Sequence, residues 1–548
     1  MKKQDELVFL PLGGSGEIGM NFNAYGYGPE HDRKWIIVDC GVMFGRETST
    51  PGVDIIMPDV SFLAEQRDNI LGIVATHAHE DHIGAIAPLW PMLRCPVYAT
   101  PFTARIVAGK LEEYGLSGKV KLREVQVGGT LKLGPFTLDF ISITHSILEP
   151  NLLAIRTPLG VVAHTGDWKL DPDPMLGEKT DEAALNKLGE EGVLAMVCDS
   201  TNALNPGSSG SEKGVRENLI SLVGTLKGRV AIAAFASNVA RLDSAARAAK
   251  ANGRRLCLVG RSMHKMVDAA RETGYLRDLP PIANEEDAAE LPPHKVLYLA
   301  TGSQGEPRAA LSRIAEDNHP GVTLEQGDTV IFSSRIIPGN EIGIYALMNK
   351  LAGRGIEIIT ANSDDIHVSG HPAREELSQM YRWLRPKIAF PVHGEMRHMT
   401  EHARLARSLQ VPQAIVPQNG QMFRLAPGRC ELIDEVPSGY MHLDGRVLVS
   451  ERAGLAKDRR GLGFAGIIAI TLVVDEKGRT LAPAAITTEG IPEPVEGAIA
   501  KTVEEHIARA GKCVNADELA ETVRRAARRA ANDVWGKKPI TRVTVVEV

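Results

Sequence analysis

The sequence predicts an α/β chain of several domains, and three observations predict it. Short apolar runs separated by turns fill the first two hundred positions. From about 213 to 360 such runs alternate with helical patterns, as in a doubly wound parallel sheet. Beyond 465 a strand, a strong helical pattern and a last strand make a small α+β domain. The 548 residues are between three and four times the roughly 150 of a typical domain, so each part can bury a core.

Taken in order, strands are expected at 8–10, 35–38, 72–76, 136–143, 152–155, 160–163 and 194–197, with a helix over 101–114. Together they make a first domain, 1–212, with sheets inside and helices outside. The second pattern, 213–360, places strands at 229–234, 255–259, 295–299 and 329–332, with a helix over 239–251. Residues 361–445 return to mixed short elements and are read as the second part of the first domain. The stretch 446–464 is rich in Gly, Asp and Arg, lacks periodicity, and is read as a linker. The last domain, 465–548, has strands at 467–474 and 541–546 and a helix over 514–532. Arg524, Arg525, Arg528 and Arg529 lie along one side of that helix, as on a solvated surface.

Apolar residues make up 43% and charged residues 24%, which excludes a wholly disordered chain, a collagen and a small disulfide scaffold. The formal charge of −6 does not advertise nucleic-acid binding, yet it leaves room for a local basic channel. Cysteines stand at 40, 95, 198, 257, 430 and 513 with no CxxC pair, as expected of structural thiols in a reducing compartment. No signal-peptide core and no 18-residue apolar stretch is present, so a cytoplasmic location without a membrane span is expected.

The most informative segment is Thr76-His77-Ala78-His79-Glu80-Asp81-His82-Ile83-Gly84, just after an apolar strand. Imidazole and carboxylate are the ligands that borderline divalent metals prefer. A single His near a strand end is more often a satisfied polar residue. Four hydratable side chains packed together there have no stability logic unless something binds them. One ion cannot easily use all four, so the spacing suggests two. His145, Asp167 and His393 recur after other strands, and Asp39 ends the strand at 35–38. His77, His79 and His145 for one ion, Asp81, His82 and His393 for the other, and Asp167 between them give seven ligands for a two-ion site.

The string HxHxDHxG after a strand resembles the signature of the metallo-β-lactamase fold, here His77 to Gly84. Cys198-Asp199-Ser200-Thr201-Asn202, Ser369-Gly370-His371 and Pro391-Val392-His393-Gly394-Glu395 resemble the three motifs of its β-CASP subfamily, whose members are nucleases. Within that group the chain is most similar to the bacterial ribonuclease J family. The strings that carry this run from Leu12 to Asn21 (LGGSGEIGMN), Phe235 to Asn238 (FASN), Thr301 to Pro307 (TGSQGEP) and Ile366 to His371 (IHVSGH). The resemblance implies a metallo-β-lactamase αββα sandwich with an inserted β-CASP α/β domain and a small C-terminal α+β domain. Position 240 is Ala, where many members carry His shortly after the Ser-Asn pair, which bears on the phosphate pocket.

The resemblance also implies a two-metal ribonuclease, 5′-to-3′ exonucleolytic with endonuclease activity, in RNA decay and maturation. Catalytic roles are expected for Asp81, Asp167, His371 as proton donor and Asp199 as its orienter, with Asp39 orienting a metal ligand from behind. His367, Ser369, Gly370, His371, Ser237 and Asn238 are expected at a pocket for an RNA 5′-phosphate or backbone. The plainer alternatives are a helix or turn cap for Asp199 and a tight turn at Ser369-Gly370-His371. The glycine loop Gly13 to Gly19 is read as a tight turn bordering the metal cleft, because a lone glycine pattern is weak evidence for a phosphate loop. Two divalent ions are expected, zinc bound, with manganese or magnesium as alternatives in activity. The expected partners are single-stranded RNA with a 5′-monophosphate, a second copy in a homodimer or higher oligomer, and RNA-decay proteins, with no membrane. A purely endonucleolytic relative, a small-molecule metallohydrolase of the same fold and a non-catalytic RNA-binding scaffold are the competing readings.

Overall fold

The computed structural model describes residues 4–45, 48–337, 339–361, 363–476, 478–509 and 515–548. Cys513 and Val514 lie outside the described residues. The chain forms two compact units, one of residues up to Met43 with Met57–Gly439, the other of Phe44–Ile56 with Tyr440–Val548.

In the first unit two sheets face each other. The eight-stranded sheet has the order Glu431–Glu435, Gln421–Ala426, Glu6–Gly13, Phe22–Gly28, Lys34–Val38, Ile70–Val74, Val97–Ala99, Leu122–Glu124. The seven-stranded sheet runs Thr130–Leu133, Phe136–Ser142, Asn151–Thr157, Gly160–His164, Val193–Asp199, Ile388–Val392, Gln413–Ala414. Their inner faces share one core, in which Phe9, Val38 and Val74 of the first sheet meet Phe140, Ile155 and Phe390 of the second. The Phe9 and Phe390 rings sit 5.0 Å apart, a tilted pair across the sandwich. Glu182–Glu191, Arg374–Leu384 and Met396–Ser408 cover the outer face of the second sheet through Leu185, Leu377, Met380, Leu384 and Leu405. Helix on sheet on sheet on helix is the sandwich that the resemblance implies.

The middle of the chain forms a six-stranded sheet, in the order Ile282–Ala283, Arg255–Val259, Val296–Ala300, Val230–Ala233, Thr329–Phe332, Glu357–Thr360, with every pairing parallel. Val230–Ala233 and Val296–Ala300 are buried along their whole length, as helices on both faces require. The segment 361–445, expected to hold only short elements, contains the helices Arg374–Leu384 and Met396–Ser408.

The linker reading of 446–464 is corrected. Val447–Ser450 is a strand and Leu455–Ala465 is a helix that starts at a left-handed Gly454. This helix buries only Ala456 and Ala465, so its sequence carries little amphipathic signal. Tertiary contacts hold it instead: Arg459 donates to Asp444 at 2.6 Å and to the Gly52 carbonyl at 3.1 Å. Beyond it, Ile467–Val474 pairs parallel with Ile540–Glu547 and antiparallel with Ala485–Glu489. Leu519, Val523, Ala527 and Ala531 of the helix Ala516–Trp535 pack into that unit's core. Of the four arginines read as one solvated side, Arg525 and Arg529 face solvent, while Arg524 and Arg528 are half-buried. The five described cysteines are free and buried. No helix among the described residues is long and apolar enough to cross a membrane.

The first unit carries further buried histidines outside the 77–82 cluster. His402 is held between the Ser200 hydroxyl and the Tyr381 hydroxyl, each at 2.9 Å, and His164 meets the Tyr25 hydroxyl at 2.8 Å. Burial presses both imidazoles down to about 4. In the unfolded chain they titrate near about 6.5, so the unfolded state takes up protons first as the pH falls. Stability is therefore complete above about pH 6.5 and declines toward pH 4, by on the order of a few kcal/mol. Thermal melts at about pH 7.5 and about pH 5 should show the lower midpoint at acid pH, and equal midpoints would contradict the assignment.

Candidate metal centre

The site lies where strands end. Gly160–His164, Val193–Asp199 and Ile388–Val392 run parallel, so the residues that follow or close them, Asp167, Asp199 and His393, emerge at one edge. Lys34–Val38 and Ile70–Val74 are parallel in the other sheet and deliver Asp39 and the 76–82 loop. Asp39 and His393 leave their strands with φ of 65° and 50°, sharp left-handed turns that non-glycine residues adopt rarely.

The structure brings all seven expected ligands together. One group joins His77, His79, His145 and Asp167, and another joins Asp81, His82, Asp167 and His393. In the first, His79 Nδ1 lies 3.1 Å from His77 Nε2 and 3.0 Å from His145 Nε2. In the second, Asp167 Oδ2 lies 3.1 Å from His82 Nε2 and 3.3 Å from His393 Nε2, while Asp81 Oδ2 stands 3.8 and 3.7 Å from the same nitrogens. A tetrahedral ion with nitrogen ligands at about 2.0–2.1 Å spaces them about 3.3 Å apart, close to these distances. Asp167 Oδ1 and His393 Nε2 are buried and have no hydrogen-bond partner in the protein. Buried polar atoms without partners are rare, and here they point to cations as the missing partners. The donor set fits divalent metal.

His82 and His145 are oriented from behind. Asp39 Oδ2 accepts from His82 Nδ1 at 2.7 Å and from the Thr76 hydroxyl at 2.9 Å, and Asp39 Oδ1 accepts from the Thr76 amide at 2.8 Å. His145 Nδ1 donates to the Gly370 carbonyl at 2.5 Å. These bonds leave the other ring nitrogen of each to face the cluster. Burial, then the neighbouring imidazoles, push His77 and His145 well below the usual histidine range, and burial puts His79 at about 4. All three are neutral, the form that ligates. Burial alone favours a neutral Asp167, but His393, His82 and His371 outweigh it and hold the carboxyl well below its usual range.

Beside the two groups, His371 Nδ1 donates to Asp199 Oδ2 at 2.8 Å and lies 3.8 Å from Asp167 Oδ2. Burial opposes charge on His371, yet Asp199, Asp167 and Asp81 raise it to about 9. Asp199 Oδ1 also accepts from the Thr201 amide at 2.8 Å, so it serves as a turn cap as well. Among the expected pocket residues, Ser369 Oγ accepts from Asn202 Nδ2 at 2.7 Å and from the His371 amide at 3.2 Å. The Gly370 carbonyl is engaged by His145, and Asn238 caps the helix Val239–Ala251 by accepting from the Arg241 amide. His367 is half-buried and its Nδ1 has no hydrogen-bond partner in the protein. Ser237 is half-buried just ahead of that helix.

Three residues were missed by sequence reasoning. Asn21 ends the glycine loop with Nδ2 at 2.7 Å and Oδ1 at 3.0 Å from His393 Nδ1, and its amide donates to the Asp81 carbonyl. Gly41 lies so close to the 81–82 backbone that a Cβ would stand 1.7 Å from the Asp81 carbonyl oxygen. Asn202 ties Ser369 and the His371 carbonyl in place. The glycine loop itself is more than a turn: Ser15–Gly16 pairs parallel with Gly394–Glu395, and the Gly14 carbonyl accepts from the His393 amide at 2.6 Å.

A two-sheet sandwich with paired His/Asp groups at its strand ends defines a metal-dependent hydrolase of the metallo-β-lactamase superfamily. Family models agree: Metallo-beta-lactamase superfamily over 23–217, Ribonuclease J beta-CASP domain over 227–351, Zn-dependent metallo-hydrolase RNA specificity domain over 356–416, and Ribonuclease J C-terminal domain over 454–548. A ribonuclease J of Sinorhizobium meliloti is 47% identical over all of this chain and 98% of its own length. Those of Corynebacterium glutamicum and Thermus thermophilus are each 38% identical, over 98% and 86% of this chain and 76% and 83% of their own. A solved Enterococcus faecalis protein of unknown function shares the fold, with TM-score 0.54 at 15% identity, over 76% of this chain and 99% of its own. The chain belongs to the ribonuclease J family and is a metal-dependent ribonuclease.

Two substitutions test the scaffold behind the ligands. Asp39→Ala removes the orienting carboxylate and should weaken metal binding by about 10–100-fold. Gly41→Ala should displace the Asp81–His82 backbone and lower both bound metal and thermal stability. Metal content by mass spectrometry after dialysis, beside a thermal melt, reads both. Full metal occupancy in either variant would contradict the role given to that residue.

Proposed function

We propose that the chain degrades and matures single-stranded RNA, working 5′-to-3′ as an exonuclease and also cutting internally. The observation that carries this is the pair of ligand groups sharing Asp167, with His371 and Asp199 alongside. His77, His79, His145 and Asp167 would hold one divalent ion, and Asp81, His82, Asp167 and His393 a second, zinc being the metal that suits this His-rich set, with manganese or magnesium as alternatives in activity. Ions bound there supply an activated water for attack at phosphorus and neutralise charge on the phosphate oxygens.

The chain's own groups do the rest. Asp199 accepts from His371 Nδ1, which fixes the ring and leaves its Nε2 proton for the leaving 3′ oxygen. Asp199, Asp167 and Asp81 raise His371 to about 9 against its burial, so the ring carries the proton that a donor needs. Expected products carry 5′-phosphate and 3′-hydroxyl ends. His367, Ser369 and Gly370, with Ser237 and Asn238, border the RNA 5′-phosphate or backbone. The protein works in the cytoplasm, as a dimer or larger homo-oligomer, together with RNA-decay proteins.

The test is one body-labelled single-stranded RNA carrying a 5′-monophosphate or a 5′-triphosphate, with zinc, manganese or magnesium supplied. Mononucleotides released from the monophosphate form support the reading. Internal fragments whatever the 5′ end mean that the endonuclease mode dominates, and no cleavage with any metal overturns it. Asp81→Ala, His82→Ala and Asp167→Ala should abolish cleavage while circular dichroism stays native. Wild-type rates in those variants would remove the ligands from the mechanism. His371→Ala should lower kcat by about 10²–10⁴-fold with metal content unchanged. Ser369→Ala should reduce the preference for monophosphate ends.

A further inference from the structure

Arg241 is 0% exposed, on the helix Val239–Ala251 of the inserted domain. Its Nη2 donates to both oxygens of Glu212, at 3.0 and 3.1 Å, and Glu212 is itself 2% exposed. Its Nη1 donates to the Ser333 carbonyl at 2.8 Å, the Ser333 hydroxyl at 2.5 Å and the Ile366 carbonyl at 3.1 Å. The Ser333 hydroxyl in turn donates to the same Ile366 carbonyl at 2.6 Å.

The network continues to the metal centre. The Glu212 amide donates to Asp171 Oδ2, which also accepts from the buried Lys169 Nζ at 3.0 Å. Lys169 follows Asp167 by two residues, and its carbonyl accepts from the hydroxyl of Thr144, the neighbour of His145. One line of buried charges and hydrogen bonds thus joins the loop of Asp167 to the start of the 366–371 segment. The far end of that segment is held separately, by Asn202 on Ser369 and His371 and by His145 on Gly370.

A fully buried ion pair is a poor source of stability, because desolvation offsets the attraction and an apolar pair of similar volume often serves as well. Arg241 even leaves its Nε without an acceptor. What the guanidinium supplies that a methionine cannot is a rigid fork of donors fixed on two backbone carbonyls. We propose that Arg241, charge-balanced by Glu212, is a positioning residue that sets the 366–368 backbone, and with it the edge along which RNA binds. This rests on the reading that 366–371 borders the substrate.

The test replaces both charges at once, as Arg241→Met with Glu212→Gln, so that no lone charge is buried. The expected double variant keeps a near-native melting temperature and full metal content. Amide hydrogen exchange over 366–368 becomes faster, and KM for single-stranded RNA rises about tenfold or more while kcat moves less than about threefold. Arg241→Lys, a point charge without the fork, should fall between. Unchanged exchange over 366–368, or faster exchange with a native KM, overturns the proposal. If the double variant does not fold, Ser333→Ala removes one arm of the clamp and is read in the same way. If the native protein cleaves no RNA, the functional reading fails, while the exchange result still decides the positioning role.

Discussion

The carboxylate of Asp167 is the constraint on which the rest of the first unit depends. It is 2% exposed, yet its Oδ2 stands within 4 Å of ring nitrogens from His82, His393, His371 and His145. An ionised carboxylate in a protein interior costs several kcal/mol unless cations and hydrogen bonds compensate it. Those ring nitrogens come from four separate parts of the chain. The parallel pairing of Gly160–His164, Val193–Asp199 and Ile388–Val392 therefore places charge where a metal can use it.

Ligand identity is only half of such a site. Asp39 behind His82, Gly370 behind His145 and Asn21 beside His393 set which ring nitrogen faces the cluster. Two of these three partners lie far along the chain from the histidine they serve. Gly370 belongs to the segment that returns from the inserted domain, so the insert's return path helps to shape the metal centre. The insert's exit segment also carries His371, whose Nδ1 donates to Asp199.

Much of this was legible in the sequence because metal chemistry is local at its densest point. Four of the seven expected ligands fall between His77 and His82, and no packing argument explains such a cluster. The strands before Asp167 and His393 were legible as continuous apolar runs, and the antiparallel strand before His145 by its partial apolar/polar alternation. The helix Leu455–Ala465 was not legible, since it buries two alanines and is held by Arg459 reaching a distant turn. Asn21 was in plain view at the end of the glycine loop, but its role comes from proximity to a residue more than 370 positions away.

By itself, then, the sequence determined the ligand chemistry, the order of strands and helices and the family resemblance, because these rest on residue type and short-range periodicity. The tertiary structure alone decided which ring nitrogen faces the cluster and which glycine a side chain would displace. It also decided that 44–56 packs with the C-terminal unit and that a buried arginine reaches the 366–371 segment. Those outcomes depend on atoms brought within about 3 Å across hundreds of residues, a hydrogen-bond scale that no local pattern encodes.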